Sequence, residues 1–176
     1  MSLLYKFRAL ANCDNFVRAK NILSKKAFWF SPLWDQNDSM EAIYNPNLIP
    51  LEQEQKIFAE KRKTRICSFS SAKGLYHPLM WAHYACGFKG IAFEVETTKN
   101  VKVHEVIYRD NPTLISSGAT PDDTVLAIIT SKSSIWEYES ELRITKMTDA
   151  DGKGGIAKTV GTIQSCLLYT SDAADE

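Results

Sequence analysis

Apolar and polar residues alternate from Leu3 to Arg8, the period-two pattern of a strand with one buried face. Asp14 then stands as the N-cap of a helix that carries Phe16, Ala19, Ile22 and Leu23 on one stripe. Ala27 to Ser31 holds three successive aromatics, Phe28, Trp29 and Phe30, and predicts a buried strand ended by Pro32. Asp38-Ser39-Met40-Glu41 sets a capping residue three positions before a Glu, the signature of a short capped helix or turn. Leu51 to Lys63 is a polar helical segment with only Leu51, Ile57 and Phe58 to bury, which predicts a surface position.

Thr64 to Ser70 returns to strand character, and Pro78 fits the first turn of a helix running through Leu79, Met80, Trp81, His83 and Tyr84 to a stop near Gly87. Gly90 to Glu96 and Val101 to Tyr108 predict two strands around a turn at Thr97 to Asn100. Thr120-Pro121-Asp122-Asp123 opens a helix bearing Val125, Leu126, Ile128 and Ile129, and Leu142 to Met147 is again a strand. A turn over Asp149 to Gly155 leads into a strand from Ile156 to Gln164. Helices and strands interleave without strict alternation, and several strand connections are short. The expectation is one α+β domain over residues 1–165, with a mixed, largely antiparallel sheet and flanking helices.

Composition adds exclusions. With 44% hydrophobic and 24% charged residues the chain falls among ordinary globular proteins, and 21 basic residues balance 21 acidic ones, so no overall field draws it to nucleic acid. The densest basic run, Lys61-Arg62-Lys63 with Arg65, follows Glu52, Glu54 and Glu60 and reads as a solvated helix end. No apolar stretch reaches the roughly 18 residues of a membrane span, and no basic segment precedes an apolar run at the start, so neither membrane nor export is expected. Once Cys166 of the C-terminal tail is set aside, Cys13, Cys67 and Cys86 are scattered and odd in number, as in a reducing, cytoplasmic setting.

The last eleven residues, Cys166 to Glu176, are what results from translating TGT CTC TTA TAC ACA TCT GAC GCT GCC GAC and a following GA. That string resembles the transposase adapter of shotgun libraries. The tail is therefore expected to be non-native and without function, and the coding sequence to be cut at or just after Ser165.

Seven motifs, in order, resemble a bacterial family known as domain of unknown function 2971. They are LYKFR at Leu4 to Arg8, FWFSP at Phe28 to Pro32, QND followed by Glu41, CSFS at Cys67 to Ser70, LMWAHYA at Leu79 to Ala85, KGIAFEV at Lys89 to Val95, and K-x3-W-x-Y-E-x-E-x-R from Lys132 to Arg143. The chain departs from the family pattern at Ser39, where Pro is usual, and at Phe88, where His is frequent. The family name implies no activity.

Chemistry has to come from the residues. A strand ending in Arg8, an aromatic strand ending in Ser31 and a late strand bearing Glu139-Ser140-Glu141 follow an order similar to the Arg, Ser, Glu-x-Glu layout of ADP-ribosyltransferases. The resemblance implies NAD as substrate. Arg8 would support the dinucleotide, Ser31 brace the site, Glu141 bind the nicotinamide ribose as positive charge develops, and Glu139 orient an acceptor of unknown kind. Two residues apart on a strand, both glutamates would share a face. The same residues, with Arg143 and Thr145, also read as the solvated face of a half-buried strand.

Two other classes stay open. Asp35, Asn37, Asp38 and Glu41 with His83 could hold a divalent metal in a phosphoesterase or nuclease, although Asp38 and Glu41 also form a capping box. Cys67, His77, His83 and Cys86 lack the paired close ligands of structural zinc motifs, and no ligand spacing is diagnostic of a metal. Cys67 and Cys86 read more simply as small buried residues, and Trp29, Trp34, Trp81 and Trp136 as mostly core. The third class is a non-catalytic domain that binds a ligand or partner.

Overall fold

A computed structural model of the chain describes residues 2–36, 50–111, 120–148 and 154–169. Strand β1 (Leu3–Ala9) leads into helix α1 (Cys13–Lys25) and strand β2 (Phe28–Pro32), so the opening is the predicted strand, helix, strand. The cap of α1 is Asn12 rather than Asp14: its side chain accepts from the Asn15 amide at 2.9 Å, and Asp14 sits in the first turn, where a carboxylate complements the helix dipole. Only Ala19 and Ile22 of the predicted stripe are buried, while Phe16 and Leu23 remain exposed. Pro32 is the last residue of β2 and pairs with Arg65.

After a 3-10 turn at Leu33–Asp35 come helix α2 (Leu51–Lys63) and strand β3 (Thr64–Ser70), both with the predicted bounds. Glu52 and Glu54 occupy the first turn of α2 and Lys61, Arg62 and Lys63 its last, each sign at the dipole end that favours it. Ile57 alone of its three large apolar residues is buried. The predicted cap over Asp38 to Glu41 lies outside the described residues, as do Asp149 to Lys153 of the predicted turn.

Helices α3 (Ala72–Leu75) and α4 (Pro78–Tyr84) precede strand β4 (Gly90–Thr97). The stretch predicted as one strand over Val101 to Tyr108 is instead two short ones, β5 (His104–Glu105) and β6 (Ile107–Tyr108), and neither forms a hairpin with β4. Helix α5 (Pro121–Ile129), capped by Thr120, is followed by β7 (Ser131–Lys132), a 3-10 segment (Ser134–Glu139), β8 (Glu141–Met147), β9 (Ile156–Lys158) and β10 (Gly161–Leu168). The last predicted strand thus divides in two, and β10 runs past Ser165 through Cys166, Leu167 and Leu168, in register with Phe93, Ala92 and Ile91. A ladder is made of backbone groups, so it accepts any non-proline side chain.

The architecture is α+β: a mostly antiparallel sheet in the path β10-β4-β1-β3-β2-β9, with β8 also paired to β3 and β5, and helices on both sides. Only Thr159 and Val160 separate β9 from β10, which lie at opposite ends of that path, so the sheet must curl to bring its ends together. The curl encloses Leu4, Phe28, Phe30, Cys67, Phe69, Phe93, Val95, Ile144 and Val160, closed on one side by Ala19 and Ile22 of α1. Side chains alternate across a sheet. The opposite face therefore carries Tyr5, Phe7 and Ala92 under Leu75, Met80 and Trp81 at one end, and Ile66 under Ile57, Val125, Ile128 and Ile129 at the other.

The two edges of β3 are paired differently. Strand β8 takes one edge of β3 along its whole length, from Thr64 to Ser70. The other edge is divided: β1 meets it at Ser70 and β2 at Arg65 and Ile66. Across Cys67 to Phe69 the two neighbours have forked apart. Among the described residues no helix is long and apolar enough to cross a membrane.

Candidate functional site

A cleft of about 230 Å³ opens at this fork, lined by Lys6 and Arg8 of β1, Trp29 and Ser31 of β2, Ser68 and Ser70 of β3, Asp35 and Gln36 beyond β2, Tyr84 of α4, and Lys132, Glu139 and Glu141. Arg8, Ser31, Glu139 and Glu141, far apart in sequence, therefore share one concave surface.

The reason the glutamates meet there is not the one their spacing suggested. Glu139 ends the 3-10 segment, Ser140 adopts a left-handed conformation (φ 42°), and Glu141 opens β8. A corner, not a shared strand face, turns both carboxylates inward. Backbone bonds hold that corner. The Glu141 amide donates to the Tyr108 hydroxyl at 2.8 Å, the Glu141 carbonyl accepts from Val106 at 3.1 Å, and the Ser140 carbonyl accepts from Ser71 at 3.0 Å. The Ser70 hydroxyl donates to the Glu139 carbonyl.

Gly74 completes the support. A Cβ at that position would collide with the Ser70 hydroxyl and with the Glu139 carbonyl oxygen, so α3 can pack this closely only with glycine there.

The solvated strand face is overturned. Glu139, Glu141 and Arg143 are each at most 5% exposed, as is fitting for a face covered by α5, β7 and the 3-10 segment. Buried charges have to be paired. Lys132 Nζ lies 2.6 Å from Glu139 Oε2 and 3.3 Å from Glu141 Oε2. Arg143 grips Glu141 with two donors, Nε to Oε1 at 2.7 Å and Nη2 to Oε2 at 2.9 Å, and gives Nη1 to the Ile129 carbonyl. The Tyr84 hydroxyl donates to Glu139 Oε1.

These partners push the two carboxyls apart. Burial alone would raise Glu141, but the Arg143 guanidinium, Lys132 and the Ser68 hydroxyl outweigh it and hold the group down at about 2. Glu139 moves the other way: burial dominates, the adjacent Glu141 charge adds to it, and Lys132 and Tyr84 offset only part. Burial and the bond to Glu139 hold the Tyr84 phenol well above its ordinary range.

The remaining candidates separate. Asp35 lines the cleft, but His83 is absent from its lining and bonds the Tyr138 hydroxyl at 2.9 Å, and Asn37, Asp38 and Glu41 lie outside the described residues. Cys67 is in the core and Cys86 is exposed, so the buried-residue reading holds for the first and fails for the second. Among the described residues no group of three or more His, Cys, Asp or Glu side chains is placed to hold a metal ion. Of the four tryptophans only Trp81 is core; Trp29, at a strand position whose neighbours Phe28 and Phe30 point inward, faces the cleft.

Sequence reasoning missed Lys6, Tyr84, Ser68 and Lys132. Lys132 had a signal, as the first residue of the motif that ends at Arg143, whereas Lys6 looked like an ordinary polar strand position. Comparison of the chain with protein-family models, with curated proteins and with solved structures finds no match to any of them.

Proposed function

We propose that the cleft binds NAD and that the chain is an ADP-ribosyltransferase-like enzyme. The observation that carries the reading is the presence of Arg8, Ser31, Glu139 and Glu141 on one open cleft, with the two carboxyls driven to opposite sides of their ordinary range. Paired titratable groups with diverging environments are the usual mark of divided acid–base and electrostatic roles.

In this reading the bond between the ribose anomeric carbon and the nicotinamide nitrogen breaks, and its electron pair leaves with the nitrogen, which becomes neutral. Positive charge spreads over the anomeric carbon and ring oxygen. Glu141, ionised throughout the neutral range, stabilises that charge from a fixed position in a poorly solvated site. An acceptor hydroxyl or amine then bonds to the anomeric carbon, and its proton passes to Glu139. Trp29 offers a flat face for an aromatic ring. A cleft of about 230 Å³ is below the usual size of sites that enclose a whole small molecule, and suits the reacting half of a dinucleotide.

One observation favours a second reading. Lys132 and Arg143 already neutralise both carboxylates, as they would in a module that binds a ligand without transforming it. Incubating the full chain with NAD and following free nicotinamide separates the two. Release that disappears in Glu141→Gln, at a temperature where the variant is still folded, supports the transferase. NAD binding without release supports the binding module, and absence of binding removes NAD from consideration.

A further inference from the structure

In the transferase reading Glu139 receives the acceptor's proton, yet its side chain is nearly sealed from solvent, 3% exposed. Both of its oxygens are already engaged, Oε2 with the Lys132 ammonium at 2.6 Å and Oε1 with the Tyr84 hydroxyl. Tyr84 lines the same cleft and is only partly buried. Its hydroxyl proton is spent on Glu139, while among the described residues nothing donates to its oxygen. A hydroxyl that donates still keeps acceptor lone pairs, so this oxygen is open to a donor that arrives with the substrate.

The phenol is held in place by its helix. Adjacent residues of α4 bond adjacent residues of the 3-10 segment, His83 to the Tyr138 hydroxyl at 2.9 Å and Tyr84 to Glu139. Trp81 fixes α4 in turn: its indole N–H donates to the Leu75 carbonyl at 2.7 Å, and its ring meets Phe7 of β1 edge-on with the centroids 5.1 Å apart. A phenol held well above its ordinary range stays protonated at neutral pH, so Tyr84 is no free base. It can take a proton only by giving one up in the same step.

We propose that Tyr84 is a catalytic residue that relays the acceptor's proton to Glu139. The proposal rests on the transferase reading of the cleft and names the group that touches the acceptor. As the oxygen of an acceptor hydroxyl bonds to the anomeric carbon, its O–H bond breaks and the proton joins the Tyr84 oxygen. The phenol's own proton passes at the same time to Glu139 Oε1. Tyr84 is a neutral phenol before and after, Glu139 ends as a neutral carboxylic acid, and the electron pair of the new bond neutralises the charge on the ribose. Burial, which favours the neutral form of Glu139, makes that carboxyl a fit terminus for the proton.

The test compares water and azide as acceptors, because azide bonds to carbon through a lone pair and has no proton to lose. The full chain and Tyr84→Phe are incubated with NAD at neutral pH, at a temperature where thermal melts show both folded, and nicotinamide release is followed without and with sodium azide. In water alone Tyr84→Phe is slower by about a hundredfold, the lower end of what a positioned proton acceptor contributes. Azide restores its rate toward that of the parent chain, with ADP-ribosyl azide as the product in mass spectrometry. Tyr84→Phe combined with Glu139→Gln is no slower in water than Glu139→Gln alone, since both changes cut one path. A parent-like rate of Tyr84→Phe in water overturns the relay, as does a loss that azide fails to restore, which would mark Tyr84 as a support for Glu139 only. In both of those cases release by the parent chain leaves the transferase standing. A parent chain that releases no nicotinamide, with or without azide, sinks the transferase and the relay together.

Discussion

Lys132 Nζ lies 2.6 Å from Glu139 Oε2, with both side chains no more than 6% exposed. The same ammonium reaches Glu141 Oε2 at 3.3 Å, so one cation joins the end of the 3-10 segment to the start of β8. Lys132→Met leaves two carboxyls facing each other without that cation. Breaking a buried pair from one side costs about 3 to 5 kcal/mol, and that loss is expected in chemical denaturation. Because much of the cost comes from the charge left behind, Lys132→Met with Glu139→Gln recovers part of it. A double variant no more stable than Lys132→Met would show that Glu139 does not carry the strain.

Arg143 secures Glu141 by two parallel bonds, and this sets a sign for acid stability. A carboxyl held at about 2 when folded, against an ordinary 4.5, binds fewer protons folded than unfolded between those values. Its contribution is therefore complete above pH 4.5 and disappears as pH falls toward 2. Glu139, raised on folding, contributes in the opposite sense and blunts the net slope. Denaturation midpoints of the parent chain and Glu141→Gln should converge as pH drops from about 5 to about 3; curves that stay parallel would show that Glu141 is not held ionised.

The fold was legible where local signals agreed with burial. Alternation marked β1, and Thr120 with Pro121 marked the start of α5. Where chain-distant pairing decides, sequence was silent: nothing in Val101 to Tyr108 says that its halves pair with β8 and β7 instead of folding back on β4. The site shows the same division. Glu139 and Glu141 were visible as a pair, but the corner at Ser140 depends on Tyr108, Ser71 and Gly74, and Lys6 became a site residue only because β1 and β2 part along one edge of β3. A polar residue on a strand looks the same in sequence whether it meets water or a cleft.

Gly74 tests how tightly the corner is braced. An added methyl must displace both the Ser70 hydroxyl and the Glu139 backbone, and the second of these is not the loose end of a flexible chain. Gly74→Ala is expected to cost about 1 to 3 kcal/mol, as overpacking usually does, and to impair ligand binding beyond what stability explains. The check is denaturation alongside ligand titration. Full stability and unchanged binding would mean that α3 moves away freely and does not position Glu139.

Lys6 gives the last prediction, and its sign is opposite to that of Glu141. Burial is the main cause that brings its ammonium down to about 8 from an ordinary 10.5; Arg8 pushes the same way, and the facing Cys67 and Glu141 offset part. Between pH 8 and 10.5 the unfolded chain thus binds more protons at this site than the folded one, and stability attributable to Lys6 rises with pH across that window. The penalty is complete below pH 8, where it amounts to about 3 kcal/mol, since each pH unit between the folded and unfolded values is worth about 1.4 kcal/mol. Lys6→Met should therefore be more stable than the parent chain at about pH 7, and the gap should close toward about pH 10. Cys67, whose thiol burial raises, drives both proteins the other way over the same range, so only the difference between them is informative. A gap unaffected by pH would mean that Lys6 meets water and not the floor of the cleft.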